Sequence, residues 1–122
     1  MASRRSLQLG IRSDIGLNRP TSLRVMLADN FWSRLVGLLL HRSLPNDEAL
    51  LLVPCASIHT FGMRITIDVI FLDKQNKVLG FSDHVTPNRI RSAPRGTVKV
   101  LEIAQGNRMR TGINLDDYLV FD

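Results

Sequence analysis

The sequence predicts a mainly β fold, a β-sandwich or squat barrel carrying one short helix, folded as a single domain. Three observations predict it. Apolar residues alternate with polar ones over several short runs, as they do on half-buried strands. Those runs are separated by clusters rich in Gly, Pro, Asn and Asp, the residues that turns require. Only one stretch repeats its apolar residues at helical spacing.

The first alternating run is Ser22 to Leu27, where Leu23, Val25 and Leu27 share one side. After it, Asp29 or Asn30 can cap exposed backbone N–H groups, and Phe31, Leu35 and Leu38 recur at i, i+4 and i+7. This predicts the helix, over Asn30 to Leu40, and Pro45 lies past its end. Ala49 to Val53 is continuously apolar, as suits a strand covered on both faces, and Pro54 ends it. Ile65 to Leu72 is the clearest strand, with Ile65, Ile67, Val69 and Phe71 on one face and Thr66, Asp68, Ile70 and Leu72 on the other. Asp73-Lys74-Gln75-Asn76 is a turn, so Val78 to Phe81 completes a hairpin. A long loop follows over Asn88 to Arg95, bracketed by Pro87, Pro94 and Gly96. Thr97 to Ile103 alternates again, Gly106-Asn107 and Gly112 mark turns, and Tyr118 to Phe121 is a last short strand.

A chain of 122 residues suits one domain, with 44% hydrophobic and 22% charged residues, the proportions of a globular protein. No apolar run approaches the roughly 18 residues of a membrane helix. The basic N-terminus lacks the apolar stretch of a secretory signal, and Cys55 is the only cysteine, so the expected setting is soluble and cytoplasmic. The net charge is +5, of which residues 1–24 supply +4 through Arg4, Arg5, Arg12, Arg19 and Arg24 against Asp14. Residues 1–20 are therefore expected to be a flexible basic arm, and residues 21–122 a single β-sandwich domain. Positive charge so placed is ordinary for a solvated face, and nucleic acid is not the expected partner. The chain is expected to be monomeric.

The densest chemistry lies in PCASIHTFGMRITIDVIFLD, from Pro54 to Asp73. Its middle is polar although strong strands flank it, and loops on a rigid scaffold often carry function. Ser57, His59, Thr60 and Arg64 offer two hydroxyls, an imidazole and a guanidinium within eight positions. Cys55 precedes them and Asp68 follows. PCASIHTFGMR followed by IDVIFLD, preceded by NFWSRLVGLL and DEALLL, resembles the uncharacterised family known as domain of unknown function 192. The resemblance spans about residues 22 to 121. It implies a jelly-roll-like β-sandwich with an edge helix and brings no established activity. Ile65-Thr66 stands where an aromatic-proline pair is usual in that family, and Leu115-Asp116-Asp117 where a Gly-Asp turn is expected.

Candidate catalytic residues are Cys55, His59 and Asp68. A nearby imidazole lowers a thiol's pKa, and the three types could form a triad if the fold brought them together. Against this stand ordinary readings: Cys55 as a small buried hydrophobe, His59 bonded to backbone, and Asp68 paired with Arg64 or, second, His59. No metal is expected, because one cysteine and His41, His59 and His84 are too scattered for a structural site. No cofactor is expected either. Ser57, His59, Thr60 and Arg64, with Arg89 and Arg91 from the later loop, are candidate ligand-binding residues, since arginine's planar fork suits carboxylate or phosphate oxygens. The expected function is a binding or accessory module for a small polar or anionic ligand or a protein partner. A small hydrolase or transferase using Cys55 or His59, and a nucleic-acid-associated basic domain, are the alternatives.

Overall fold

The computed structural model describes residues 6–28, 44–53, 57–59, 65–87 and 89–122, with 57–59 as backbone. The described residues form β1 (Ser6–Arg12), β2 (Asn18–Ala28), β3 (Glu48–Leu52), β4 (Ser57–His59), β5 (Ile67–Leu72), β6 (Val78–Val85), β7 (Ile90–Ser92), β8 (Lys99–Ala104), α1 (Asn107–Thr111) and β9 (Tyr118–Phe121). Seven strands make one sheet in the order β6-β5-β8-β3-β2-β1-β9, and β4 pairs with β7 in a separate ribbon. All neighbours are antiparallel except β2 and β3. The predicted helix over Asn30 to Leu40 lies outside the described residues.

The sheet curls until its edge strands meet at one end. Lys77 bridges Tyr118, the Val78 N–H donates to the Asp117 carbonyl at 2.8 Å, and the Leu119 N–H to the Asn76 carbonyl at 2.9 Å. It is a squat, mostly β fold and not a closed barrel. Leu9, Ile11, Leu23, Val25, Leu51, Ile70, Leu72, Leu101, Ile103 and Leu119 fill the inside of the curl. Burying each such side chain is worth about 1.5–3 kcal/mol. The other face carries a second apolar cluster, built on Leu50, Leu52, Ile67, Val69, Phe71, Val85 and Val100. Both faces of β5 are thus covered, and all six of its residues are buried.

The flexible-arm expectation is corrected for residues 6–20. Leu7, Leu9 and Ile11 alternate with Gln8, Gly10 and Arg12, and the run forms β1 between β2 and β9. Leu9 and Ile11 are 0% and 1% exposed. The arginines that make this region look like a tail sit on outward positions: Arg12 stacks on the Tyr118 ring, and Arg19 donates to the Gly112 carbonyl.

Three further elements differ from expectation. The loop over Asn88 to Arg95 contains β7, and the polar segment contains β4; each has three residues, too few for a readable alternation. The turns at Gly106 and Gly112 enclose α1, one helical turn that both glycines bound in the left-handed region, at φ 87° and 75°. The hairpin is as expected. Asp73 Oδ1 accepts from the Gln75 and Lys77 N–H groups at 2.8 and 2.9 Å, which fixes the turn, and Asn76 takes φ 67°.

Candidate functional site

Glu102 is the residue the fold treats most unusually. It lies on β8, near the middle of the sheet, between Leu50 of β3 and Val69 of β5 in register. Strand alternation puts it beside Val100 and Ala104 on the second face, opposite Leu101 and Ile103 in the curl. It is 1% exposed. Its Oε1 has no hydrogen-bond partner among the described residues. Burial pushes its carboxyl up from 4.5 to about 8, because the apolar surroundings disfavour the charged form. Glu102 is therefore a neutral acid at physiological pH, with one O–H to donate and one carbonyl to accept.

Met26, Leu44, Ile65 and Ala93 pack against this second face. Ala93 directly follows β7, so the β4–β7 ribbon is anchored to the face that carries Glu102. Where Leu44, Ile65 and Ala104 approach one another, a cavity of about 320 Å³ opens, completed by Asn46, Thr66 and Gln105. Ala104 is one side-chain position along β8 from Glu102.

The ribbon brings together the two segments that the sequence offers as a site. Ser57 lies opposite Ser92, Ile58 opposite Arg91, and His59 opposite Ile90. Arg91 donates from Nη1 to the Ile90 carbonyl at 3.0 Å, and Arg89 from Nε to Thr86 Oγ1 at 3.2 Å. Cys55, Thr60 and Arg64 lie outside the described residues, as do the side chains of Ser57 and His59.

Asp68 has partners of another kind. It is 1% exposed and points to the face opposite Glu102. Its Oδ1 accepts from the His84 N–H and its Oδ2 from the Arg108 N–H, each at 3.0 Å. The first donor comes from a bulge: β6 carries an extra residue between the partners of Ile67 and Val69, and His84 takes φ 54°. The second lies in the first turn of α1, whose Gly106 cap has no side chain to offer. One carboxylate thus satisfies two backbone donors that the fold leaves over.

Beside it, Arg108 donates from Nε to Asp83 Oδ1 and from Nη2 to Asp83 Oδ2, both at 2.8 Å, and stacks 3.9 Å over the Phe81 ring. The hydrogen bonds to Asp83 hold its guanidinium above the ordinary value, with the charges of Asp83 and Asp68 adding to them and burial opposing. His84 Nδ1 lies 2.9 Å from Gln105 Nε2. This cluster joins β5, β6 and α1. Among the described residues no three His, Cys, Asp or Glu side chains gather as a metal site, and no helix is long and apolar enough to cross a membrane.

Glu102 is not among the candidate residues that the sequence offers. The signal was available: in Thr97 to Ile103 the alternation sets Glu102 with Val98 and Val100, an acid on an apolar side. What it lacks is any sign that the neighbouring strands supply no partner.

The fold is shared with solved structures. A Sinorhizobium meliloti 1021 protein, provisionally named a transcription regulator, superposes with a TM-score of 0.83 at 20% identity, covering 99% of this chain and 97% of that one. A protein of unknown function from Novosphingobium aromaticivorans DSM 12444 gives 0.80 at 21% identity, covering 98% and 88%. At such identities the likeness is one of fold. In sequence, UPF0127 protein PF1050 of Pyrococcus furiosus is 31% identical over 71% of this chain and 85% of its own length. UPF0127 protein TK1120 of Thermococcus kodakarensis is 34% identical over 69% of this chain, which spans 62% of that relative's length. Residues 14–121 match the family described as Uncharacterized ACR, domain of unknown function 192, and the chain belongs to that family.

Proposed function

We propose that the protein is a binding or accessory module that holds a small polar ligand on the second face of the sheet, at Glu102 and the β4–β7 ribbon. The observation that carries this reading is the Glu102 carboxyl, buried in the middle of the sheet with Oε1 unpartnered among the described residues. Buried polar groups are almost always hydrogen-bonded, because an unmet one costs about 1–3 kcal/mol. A group left so, on the face to which a polar ribbon is anchored and beside a cavity, is suited to a ligand that supplies the missing bond. Ser57, His59, Thr60 and Arg64, with Arg89 and Arg91, belong to this reading as the ligand's candidate polar contacts.

The test is a screen of small polar molecules by methyl NMR on the full chain. Hits are expected to move the methyl signals of Leu50, Val69, Val100 and Ala93, and to lose that effect in Glu102→Leu. A screen whose hits all act elsewhere, or survive that substitution, would count against the site.

A further inference from the structure

We propose that a second site, independent of Glu102 and the β4–β7 ribbon, binds a small organic phosphate in the cavity between β2, the turn before β3 and α1, where Arg19 and Arg110 hold the phosphate group. The cavity has a volume of about 490 Å³, and its lining includes Arg19, Ser22, Asn46, Asp47, Asn107 and Arg110. That volume is ordinary for a small-molecule site. Both arginines are exposed, Arg19 with 47% of its side chain open to solvent, so a ligand can reach them. The walls are tied to one another by hydrogen bonds. Asn107 Nδ2 donates to the Asn46 carbonyl at 2.8 Å, Arg19 Nη2 to the Gly112 carbonyl at 2.6 Å, and the Arg24 N–H to the Asp47 carbonyl at 2.8 Å.

Each guanidinium is anchored through one nitrogen and open at the others. Arg19 bonds through Nη2 to the α1 carbonyls of Thr111 and Gly112, and Arg110 bonds through Nη1 to Asn107 Oδ1. Asn107 is 2% exposed and bonded at both ends of its amide, so it fixes the direction of the Arg110 fork. Among the described residues, Nε and Nη1 of Arg19 and Nε and Nη2 of Arg110 have no acceptor. The nearby acids are engaged elsewhere. Asp117 is 4.0 Å from Arg19 and accepts from the Asn114 N–H at 2.9 Å, while Asp47 lies 3.3 Å from Arg24. No carboxylate among the described residues pairs with Arg110. Two oriented forks on one cavity suit the several oxygens of a phosphate. Their two charges match a phosphate monoester, which carries about −1.5 to −2 at neutral pH, better than they match a single carboxylate. Ser22 and Asp47 add a hydroxyl and an acceptor for a hydroxyl-bearing body.

The experiment titrates glycerol 3-phosphate, glycerate and glycerol into the full chain at neutral pH and fixed ionic strength, following the backbone amide NMR signals of Ser22, Asn107, Thr111 and Gly112. Glycerol 3-phosphate is expected to move them, glycerate to bind about tenfold more weakly, and glycerol to leave them in place. Arg19→Gln and Arg110→Gln should each weaken glycerol 3-phosphate by about tenfold or more. Arg12→Gln, which removes a cation that stacks on Tyr118 and does not line this cavity, should leave its binding unchanged. Because Arg19 also holds the end of α1, Arg19→Gln can fail to fold; Arg110→Gln against Arg12→Gln then decides. No response at these amides, full binding in Arg110→Gln, or an equal loss in Arg12→Gln and Arg110→Gln would overturn the site, the last by showing attraction to general surface charge. Glycerate binding as tightly as glycerol 3-phosphate would overturn the phosphate class and leave an anion site standing.

Discussion

At the scale of single residues, two buried acids on opposite faces of one sheet have opposite relations to their surroundings. Asp68 is bonded at both oxygens by backbone N–H groups, and its loss would orphan the donors of His84 and Arg108. Glu102 lies among Leu50, Val69 and Val100, and its charged form is the one penalised. This makes stability pH-dependent in a definite direction. The unfolded chain releases the Glu102 proton near 4.5 and the folded chain near 8, so between those values the folded state binds more protons. Stability therefore falls as pH rises across that window, with a slope approaching about 1.4 kcal/mol per pH unit from this group. Glu102→Gln removes the titration. Thermal melts from pH 4.5 to 8 should show the wild type losing ground steadily to the variant, and parallel curves for the two would contradict the assignment.

At the scale of elements, β1 shows how outward charge conceals a strand. Its inward residues Leu9 and Ile11 are buried in the curl, and its register joins Leu7 to Val25 on one side and Leu9 to Phe121 on the other. Truncating either Leu9 or Ile11 to alanine is expected to cost about 2–5 kcal/mol, a large part of the roughly 5–15 kcal/mol that holds a domain together. Deleting residues 1–12 removes both and exposes the edges of β2 and β9. Urea denaturation of Ile11→Ala should show a clearly lowered midpoint, and the deletion should give no cooperative transition. An unchanged midpoint in both would return the segment to the status of a dispensable arm. α1 is the contrary case: a helix of five residues has little stability of its own, and it is held in place by Asp68 at its start and by the Arg108–Asp83 pair.

At the scale of the whole molecule, the first and last strands are sheet neighbours, and β2 pairs in parallel with β3. The curl closes at one end only after Tyr118 reaches Lys77. Most of the sheet's pairings therefore join residues far apart in the chain, which makes loop closure the slow part of folding. Refolding followed by stopped-flow fluorescence should fall in the millisecond-to-second range of β-sandwiches. A microsecond relaxation would mean that local structure governs the fold.

Much of the fold was legible because strand alternation is a local property. Ser22 to Leu27, Ile65 to Leu72 and Thr97 to Ile103 carry it in their own side chains, and the Asp73 turn carries its own hydrogen-bond acceptors. The candidate site was legible as a segment, PCASIHTFGMR, through the contrast between its polarity and the strands around it. Tertiary structure alone decided the rest. Ser57–His59 becomes a strand only because Ile90–Ser92 lies beside it, and Leu9 becomes core only because β2 and β9 enclose it. Glu102 is an ordinary acid in the sequence. Its burial depends on Leu50 and Val69, which the sheet order places on either side of it, and the environment of a side chain is set by the strands that pack beside it, not by its neighbours along the chain.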